Sequence, residues 1–182
     1  MHQPPKPGEM MEKIVLLVLS VSLMLVAGCS TIPVSQSPSS DSLKMNEMSM
    51  VKNGDYSFDA SIYNIDVDTK GTDNHLIDIY INVKNTGTQP VKLIWFSKLT
   101  DRTGKTYGGI NVSHAGKGAV SGQIFSGASE TARDYIRIDS DRDLTELANG
   151  ATLDVTFIEQ QPANGQERTF QTSWQIDPGF FK

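Results

Sequence analysis

Residues 77–84, Ile-Asp-Ile-Tyr-Ile-Asn-Val-Lys, alternate apolar and polar side chains without interruption. Successive side chains of a β-strand point to opposite faces of the sheet, so this period of two places every apolar residue on one face. The stretch therefore predicts a strand with one buried face and one solvated face.

The same period recurs along the chain from residue 55 onward. The apolar residues of two later stretches also alternate with polar ones: Leu153, Val155 and Phe157, then Phe170, Trp174 and Ile176. After Ile62 the apolar set shifts by one residue, which predicts a β-bulge. Residues 91–99 are apolar on both faces, which favours a central strand covered on both sides. With turn sequences between them, these segments predict an all-β fold, an antiparallel β-sandwich of about seven strands.

One short helix interrupts the strand pattern near 140–148. Ser140 can cap its amino terminus, and Asp141 and Asp143 favour the positive end of the helix dipole. Asn149-Gly150 is a typical helix ending. We therefore expect a single capped helix between two strands.

The amino-terminal region carries an export signal. Residues 14–27 are almost entirely apolar, and Val26-Ala27-Gly28-Cys29 follows at their end. The apolar run is too short for a comfortable membrane span. Val26-Ala27-Gly28-Cys29 resembles the lipobox of prokaryotic lipoproteins, whose cysteine receives a diacylglyceryl group. The resemblance predicts a signal peptide over 1–28. The composition and the strand pattern of the rest of the chain add a flexible tether over 29–53 and the sandwich over 54–178. The alternatives are a signal peptide cut elsewhere and a short signal anchor.

The tether prediction depends on composition, because residues 30–52 are rich in Ser and Pro and lack aromatic residues. Met45, Met48 and Met50 lie near its end. Thioether sulfur suits copper(I), so these residues could form a metal site; the alternative is that they pack on the domain edge or stay mobile.

The charge of the chain limits its partners. The formal net charge is −5, and no run of Lys or Arg occurs. This excludes an electrostatic footprint for nucleic acid, so we expect no nucleic-acid partner and a membrane attachment made by the lipid. Cys29 is the only cysteine, so the exported domain has no disulfide and its core must stabilise it.

A family resemblance supports the sandwich. The residues that carry it are Ile79–Gly87, Pro90-Val91, Leu99-Thr100-Asp101 with Gly104 and Tyr107, and the stretch 150–157. The chain resembles the immunoglobulin-like, telokin-like domains of unknown function on prokaryotic lipoproteins and secreted proteins, akin to a mycobacterial immunoprotective extracellular protein. The resemblance implies an immunoglobulin-like sandwich at the cell envelope and supplies no catalytic residues.

Alternating carboxylates at Asp139, Asp141 and Asp143 form one candidate metal site. Calcium takes about six to eight oxygen ligands, and three such carboxylates could supply some of them. The EF-hand pattern fails, since Leu144 replaces the turn glycine and Gly150 replaces the bidentate Glu. The alternative is that these residues only begin the capped helix.

The glycine-rich stretch 106–127 is the other candidate site. Long loops at one end of a sandwich are common binding sites, so Tyr107, Asn111, His114 and Lys117 are predicted to form a partner-binding loop. The spacing of a phosphate-binding loop is absent around Lys117. His75 and His114 lack neighbours at metal-ligand spacing, and His75 is expected to open a strand at the surface.

These observations together predict a non-enzymatic, lipid-anchored protein of the cell envelope, on the extracytoplasmic side, without a cofactor. Its immunoglobulin-like domain would bind or scaffold an unidentified protein or another envelope component. The alternative is a calcium- or small-ligand-binding envelope protein that uses the stretch 139–143.

Overall fold

The computed structural model describes residues 43–45, 47–53, 56–69, 74–110, 115–160, 165 and 167–181, all within the compact unit Val34–Lys182. This part of the chain contains ten β-strands and one helix. The elements are β1 (Leu43–Lys44), β2 (Ser49–Asn53), β3 (Tyr56–Asp68), β4 (His75–Asn85), β5 (Leu93–Asp101), β6 (Thr106–Gly108), β7 (Gly118–Ala119), β8 (Ser129–Ile138), α1 (Asp141–Ala148), β9 (Ala151–Glu159) and β10 (Thr169–Ile176).

The strands form two sheets. One has the order β1-β10-β9-β5-β6, with β7 also paired to β5, and the other has the order β2-β3-β4-β8. All pairings of these strands are antiparallel except that of β1 with β10. The all-β sandwich prediction is confirmed, whereas the immunoglobulin-like form implied by the resemblance stays a prediction.

The inner faces of the sheets make the core. On β4, Ile77, Ile79, Ile81 and Val83 are fully buried, as their alternation predicts. Phe58 of β3 meets Phe157 of the other sheet edge to face, with ring centroids 5.3 Å apart. Trp95 of β5 lies 5.7 Å from the same Phe157 ring and adds to an aromatic centre that joins both sheets.

The bulge prediction is also confirmed. The register of β3 against β4 shifts between Ile62 and Asn64, so Tyr63 is the extra residue. Tyr63 is consequently 73% exposed, while Ile65 returns to the core. The shift keeps apolar residues on the inner face along all of β3.

The strand β5 corrects one expectation. It is central in its sheet, between β9 and the short strands β6 and β7. Its burial alternates, however, with Leu93, Trp95 and Leu99 buried and Ile94 and Phe96 only partly covered on the other face. The prediction that β5 is covered on both faces was wrong. The described elements pack as two sheets, so one face of β5 lies against the other sheet and the opposite face points outward.

The tether prediction is wrong for Leu43–Lys44 and Ser49–Asn53, which form β1 and β2. The Trp174 indole N–H donates to the Glu47 carbonyl at 3.0 Å, and the Thr172 hydroxyl donates to Ser49 Oγ at 2.7 Å. β1 belongs to one sheet and β2 to the other, so this segment crosses between them. The sandwich therefore extends at least to Leu43 and does not begin at residue 54.

The three methionines of this segment do not share one environment. Met45 packs against the core, whereas Met48 is 65% exposed and Met50 is 61% exposed. The position of Met45 agrees with the alternative that these residues pack on the edge of the domain. The three methionines do not bring their sulfur atoms together as a metal site would require.

The buried carboxylate of Asp134 links the two sheets at a gap beside β5. β6 covers residues 98–100 of β5 and β7 covers residues 94–95, so Ser97 lies between them. The Ser97 N–H donates to Asp134 Oδ2 of β8 at 2.8 Å, and the Tyr135 N–H donates to Asp134 Oδ1 at 2.7 Å. Asp134 is 1% exposed. From the inner face of the opposite sheet, its carboxylate accepts the Ser97 hydrogen bond that a neighbouring strand would otherwise accept.

Gly108 at the end of β6 keeps this gap narrow. Its φ is +76°, and a Cβ there would lie 2.7 Å from the Ser97 carbonyl oxygen and 2.9 Å from Ile136. Any larger residue would therefore combine backbone strain with a steric clash.

Candidate functional site

Of the predicted partner-binding loop, the structure describes Tyr107 and Lys117, which lie in different settings. Tyr107 lies in β6 and is 9% exposed, so its assignment to an exposed loop was wrong. Lys117 is exposed just before β7. Asn111 and His114 lie outside the described residues, as does the predicted lipidation residue Cys29.

The helix prediction is confirmed at the start of α1. Ser140 has extended backbone angles, and its hydroxyl accepts a hydrogen bond from the Asp143 N–H at 3.2 Å. Asp141 and Asp143 occupy the first turn, where the partial positive charge of the helix favours carboxylates. The acidic residues at this position therefore stabilise α1.

The three predicted calcium ligands go to three different partners. Asp139 pairs with Arg137 at 3.2 Å, Asp141 with His75 at 2.7 Å, and Asp143 with Lys105 at 2.6 Å. Within the part of the chain that is described, no group of three or more His, Cys, Asp or Glu side chains is placed to hold a metal ion. The carboxylates do not converge as a calcium site requires.

His75 opens β4 as predicted, but it is buried, with 3% of its surface exposed. Its Nε2 atom contacts Asp141 Oδ1 at 2.7 Å, and its Nδ1 atom has no hydrogen-bond partner among the described residues. The surface placement was wrong because the side chain follows the inward phase of β4. The contact joins β4 to the start of α1.

Asp101, at the end of β5, is the centre of a helix–turn network formed by Asp101, Thr103, Lys105, Tyr107 and Asp143. Its Oδ1 atom accepts hydrogen bonds from the Thr103 N–H at 2.8 Å, the Thr103 hydroxyl at 2.7 Å and the Lys105 N–H at 3.0 Å. Its Oδ2 atom accepts from the Tyr107 hydroxyl at 2.9 Å. The carboxylate thereby fixes the turn between β5 and β6.

Tyr107 connects this turn to α1. Its hydroxyl lies 3.3 Å from Asp143 Oδ1, and the Lys105 ammonium lies 5.2 Å from the centre of its ring. Burial raises the pKa of Tyr107, and the neighbouring carboxylates of Asp101 and Asp143 raise it further. The hydroxyl therefore remains a proton donor and is unsuited to act as a base or nucleophile.

The carboxylates of the network stay ionised. Burial raises the pKa of Asp101, but the hydrogen bonds from Thr103, Tyr107 and Lys105 outweigh it and hold the pKa below its usual value. The Lys105 ammonium holds the pKa of Asp143 below its usual value. Each acidic group has its partner within the network, so the arrangement joins α1 to the β5–β6 turn and offers no poised acid or base.

Tyr107→Phe should lower the free energy of unfolding by about 1.5–3 kcal/mol, because it removes a buried hydrogen bond to a carboxylate. The depressed pKa of Asp101 means that this contribution is full above pH 4 and is lost as the pH falls through the lowered pKa of the folded carboxyl. Urea unfolding of the variant and the parent at pH 7 and at successive values below pH 4 measures both effects. A difference that stays the same down to the lowest pH at which the parent folds would contradict the role given to Asp101.

The outer face of the first sheet carries a shallow groove of about 290 Å³. Its floor contains Phe96 and an ion pair in which Lys98 Nζ lies 2.9 Å from Asp154 Oδ2. The Ser173 hydroxyl donates to the same Asp154 side chain. The charges in the groove are therefore already paired with each other.

Sequence analysis predicted turns between the strands but missed the network around Asp101, as it missed the role of Asp134. The available signal for Asp101 was an aspartate two residues before Thr103 in a turn that ends at Gly104, whose φ is +86°. Nothing local to Asp134 predicts its burial, because the partner Ser97 lies 37 residues away.

No protein-family model and no curated protein matches this chain. The solved structures that are similar to it include three that are each 13% identical. A Bordetella pertussis protein assigned as ApaA gives a TM-score of 0.44, over 68% of this chain and 94% of its own. A protein assigned to the late embryogenesis abundant class gives 0.45, over 100% and 97%. A Bacillus subtilis protein described as a lipoprotein, YcdA, gives 0.41, over 74% of this chain and 38% of its own. Similarities this low assign neither a family nor a function to the chain.

Proposed function

We propose that this chain is a lipid-anchored protein of a prokaryotic cell envelope whose β-sandwich is a non-enzymatic binding or scaffold module. The observation that carries the proposal is Val26-Ala27-Gly28-Cys29, with the only cysteine of the chain at the end of the apolar run 14–27. A diacylglyceryl group on that cysteine would hold the domain at a membrane surface, since each buried methylene contributes about 0.8 kcal/mol.

The position of the sandwich in the chain supports a domain that is held at a membrane by a lipid on Cys29. Leu43, where β1 begins, lies 14 residues after Cys29, so the chain between them reaches at most about 50 Å when fully extended. None of the helices within the described residues is long and apolar enough to cross a membrane.

The chemistry of the described side chains supports binding in preference to catalysis. The acidic groups near α1 form ion pairs or hydrogen bonds that connect elements of the fold, as Asp143 does with Lys105 and Asp141 with His75. Such groups stabilise the domain and hold its surfaces in place, and a partner would be recognised by those surfaces.

Cys29→Ser should abolish labelling of the chain by a fatty acid. In cells fed an alkyne fatty acid, the parent chain is expected in the membrane fraction with label, while the variant takes up none and leaves that fraction or accumulates as the uncut precursor. Ser30→Ala is the matched control, because it changes the neighbouring residue and keeps the thiol. Equal labelling of the Cys29→Ser variant would refute the assignment of Cys29.

A further inference from the structure

The outer face of the β2-β3-β4-β8 sheet separates its charges by strand. We define the charged face as Asp66 and Asp68 on β3, Tyr80 on β4, and Arg133, Tyr135 and Arg137 on β8. The two acidic residues and the two arginines are exposed, and Tyr135 is 41% exposed. β3 and β8 lie on opposite sides of β4, so an acidic column and a basic column flank a middle strand.

The register aligns these side chains in rows across the sheet. Asp68 and Arg137 share a row through Leu76. Asp66 and Tyr135 share the next row through Asp78. Since adjacent strands are about 4.8 Å apart, the acidic and basic columns are about 10 Å apart on the same face of the sheet.

We propose that the charged face binds a second copy of this chain, around a two-fold axis that runs parallel to β4. That rotation places the β3 column of each copy opposite the β8 column of the other. Asp68 then faces Arg137 of the second copy, which is also paired with Asp139 of its own chain at 3.2 Å. Asp66 faces Tyr135 of the second copy, between its two arginines.

The charge pattern also selects this orientation over its alternative. A two-fold axis across the strands would place the acidic column opposite its own copy and the basic column opposite its own copy, which is repulsive. When the two-fold axis is parallel to β4, only β4 lies opposite the same strand of the second copy. Asp78 would then approach its own copy, but Arg133 lies 2.7 Å from it in each chain and compensates its charge.

The composition of the face fits a protein interface. Tyr and Arg are enriched at interfaces and provide most of the residues whose truncation weakens binding. Tyr80 would lie on the axis, and Arg133 packs over the Tyr135 ring at 5.8 Å, which holds both side chains in place. Tyr63, lifted outward by the bulge, is 73% exposed beside this surface.

The size of the face indicates a weak dimer. Three strands of about ten residues cover roughly 30 by 15 Å, or about 450 Å². A standard interface buries about 800 Å² per partner. The association should therefore depend on concentration, and confinement to a membrane would strengthen it by raising the effective concentration.

Cysteine crosslinking in whole cells that express the full chain tests the proposal. Asn82 lies on β4 beside the axis, so Asn82→Cys should give a crosslinked dimer with a short, membrane-permeant bismaleimide. Thr156→Cys is the matched control, since it lies on the central strand β9 at the outer face of the other sheet. The parent chain reports any crosslinking through Cys29, and because the reagent crosses membranes the result does not depend on the proposed export.

Charge exchange supplies the decisive comparison, in the Asn82→Cys background. One variant carries Asp66→Arg and Asp68→Arg, and the other carries Arg133→Asp and Arg137→Asp. Like charges opposite each other should reduce the dimer yield of each variant alone by about tenfold or more. Co-expression of the two, with different tags, should restore a mixed dimer, because each basic face then meets an acidic one.

Recovery of the mixed dimer also shows that both variants fold, although they lose the contacts of Arg133 and Arg137 within the chain. A parent Asn82→Cys chain that gives no dimer, or gives no more than Thr156→Cys, would overturn the proposal. So would equal yields in all charge variants. Crosslinks from Asn82→Cys only to a different protein would assign the face to that partner and would overturn it as well.

Discussion

Trp95→Ala should lower the free energy of unfolding by about 3–5 kcal/mol, a large share of the roughly 5–15 kcal/mol available to a typical domain. Trp95 is fully buried on β5 and contacts the Phe157 ring in the centre of the sandwich. Removing the indole leaves a cavity at the point where both sheets meet. Urea unfolding followed by far-ultraviolet circular dichroism measures the loss.

Gly118 explains why this cavity cannot close by local rearrangement. A Cβ on Gly118 would lie 2.0–2.5 Å from the Trp95 indole, so β7 packs its backbone directly on the ring. With the indole gone, that backbone has no side chain of its own to fill the space. The destabilisation should therefore lie at the upper end of the range.

Trp95→Phe is the control that separates packing from polarity. Its indole N–H has no hydrogen-bond partner among the described residues, so the replacement keeps an aromatic ring and removes a buried donor without a partner. The expected loss is under about 2 kcal/mol. Equal losses for the two variants would contradict a role for Trp95 as a filler of the core.

Asp134 should make the domain less stable as the pH rises from about 4 to about 7. Burial raises the pKa of Asp134 to about 6, against the lowering effect of the Ser97 and Tyr135 N–H groups. Between pH 4 and pH 6 the folded state holds a proton that the unfolded state has released, so stability falls with increasing pH. A pKa difference of about two units corresponds to about 3 kcal/mol.

The measurement compares parent and Asp134→Asn by urea unfolding at pH 4, 5, 6 and 7. The amide keeps the shape of the side chain and one acceptor but cannot ionise, so its own effect on stability is constant with pH. The parent should lose about 3 kcal/mol relative to the variant between pH 4 and pH 7. A difference that stays flat over this range would show that Asp134 ionises normally in the folded protein.

The sequence predicts the strands that carry a strong local pattern. The alternation in β4, the bulge in β3 and the cap of α1 all depend on side chains close together in the chain, and all three are confirmed. β1 and β2 escaped prediction because β1 has two residues, and because one of the two residues that β2 is seen to bury, Ser49 and Val51, is polar. Their strand conformation depends on partners far along the chain, such as Trp174 for Glu47.

The candidate sites were harder to predict than the fold. Tyr107, His75 and Asp143 are polar residues whose surroundings come from other elements, and burial or an ion pair gives each of them a structural contact. A residue list cannot show whether three carboxylates point to one ion or to three partners. The charged face was likewise invisible, since Asp66 and Arg133 come together only through the register of three strands.

Mass spectrometry of the amino-terminal peptide of the mature protein, purified from membranes of its native host, tests the central claim most directly. The account predicts that the chain begins at Cys29 and that its sulfur carries a diacylglyceryl group. A peptide that continues unbroken through Val26-Ala27-Gly28-Cys29 with an unmodified thiol would contradict it.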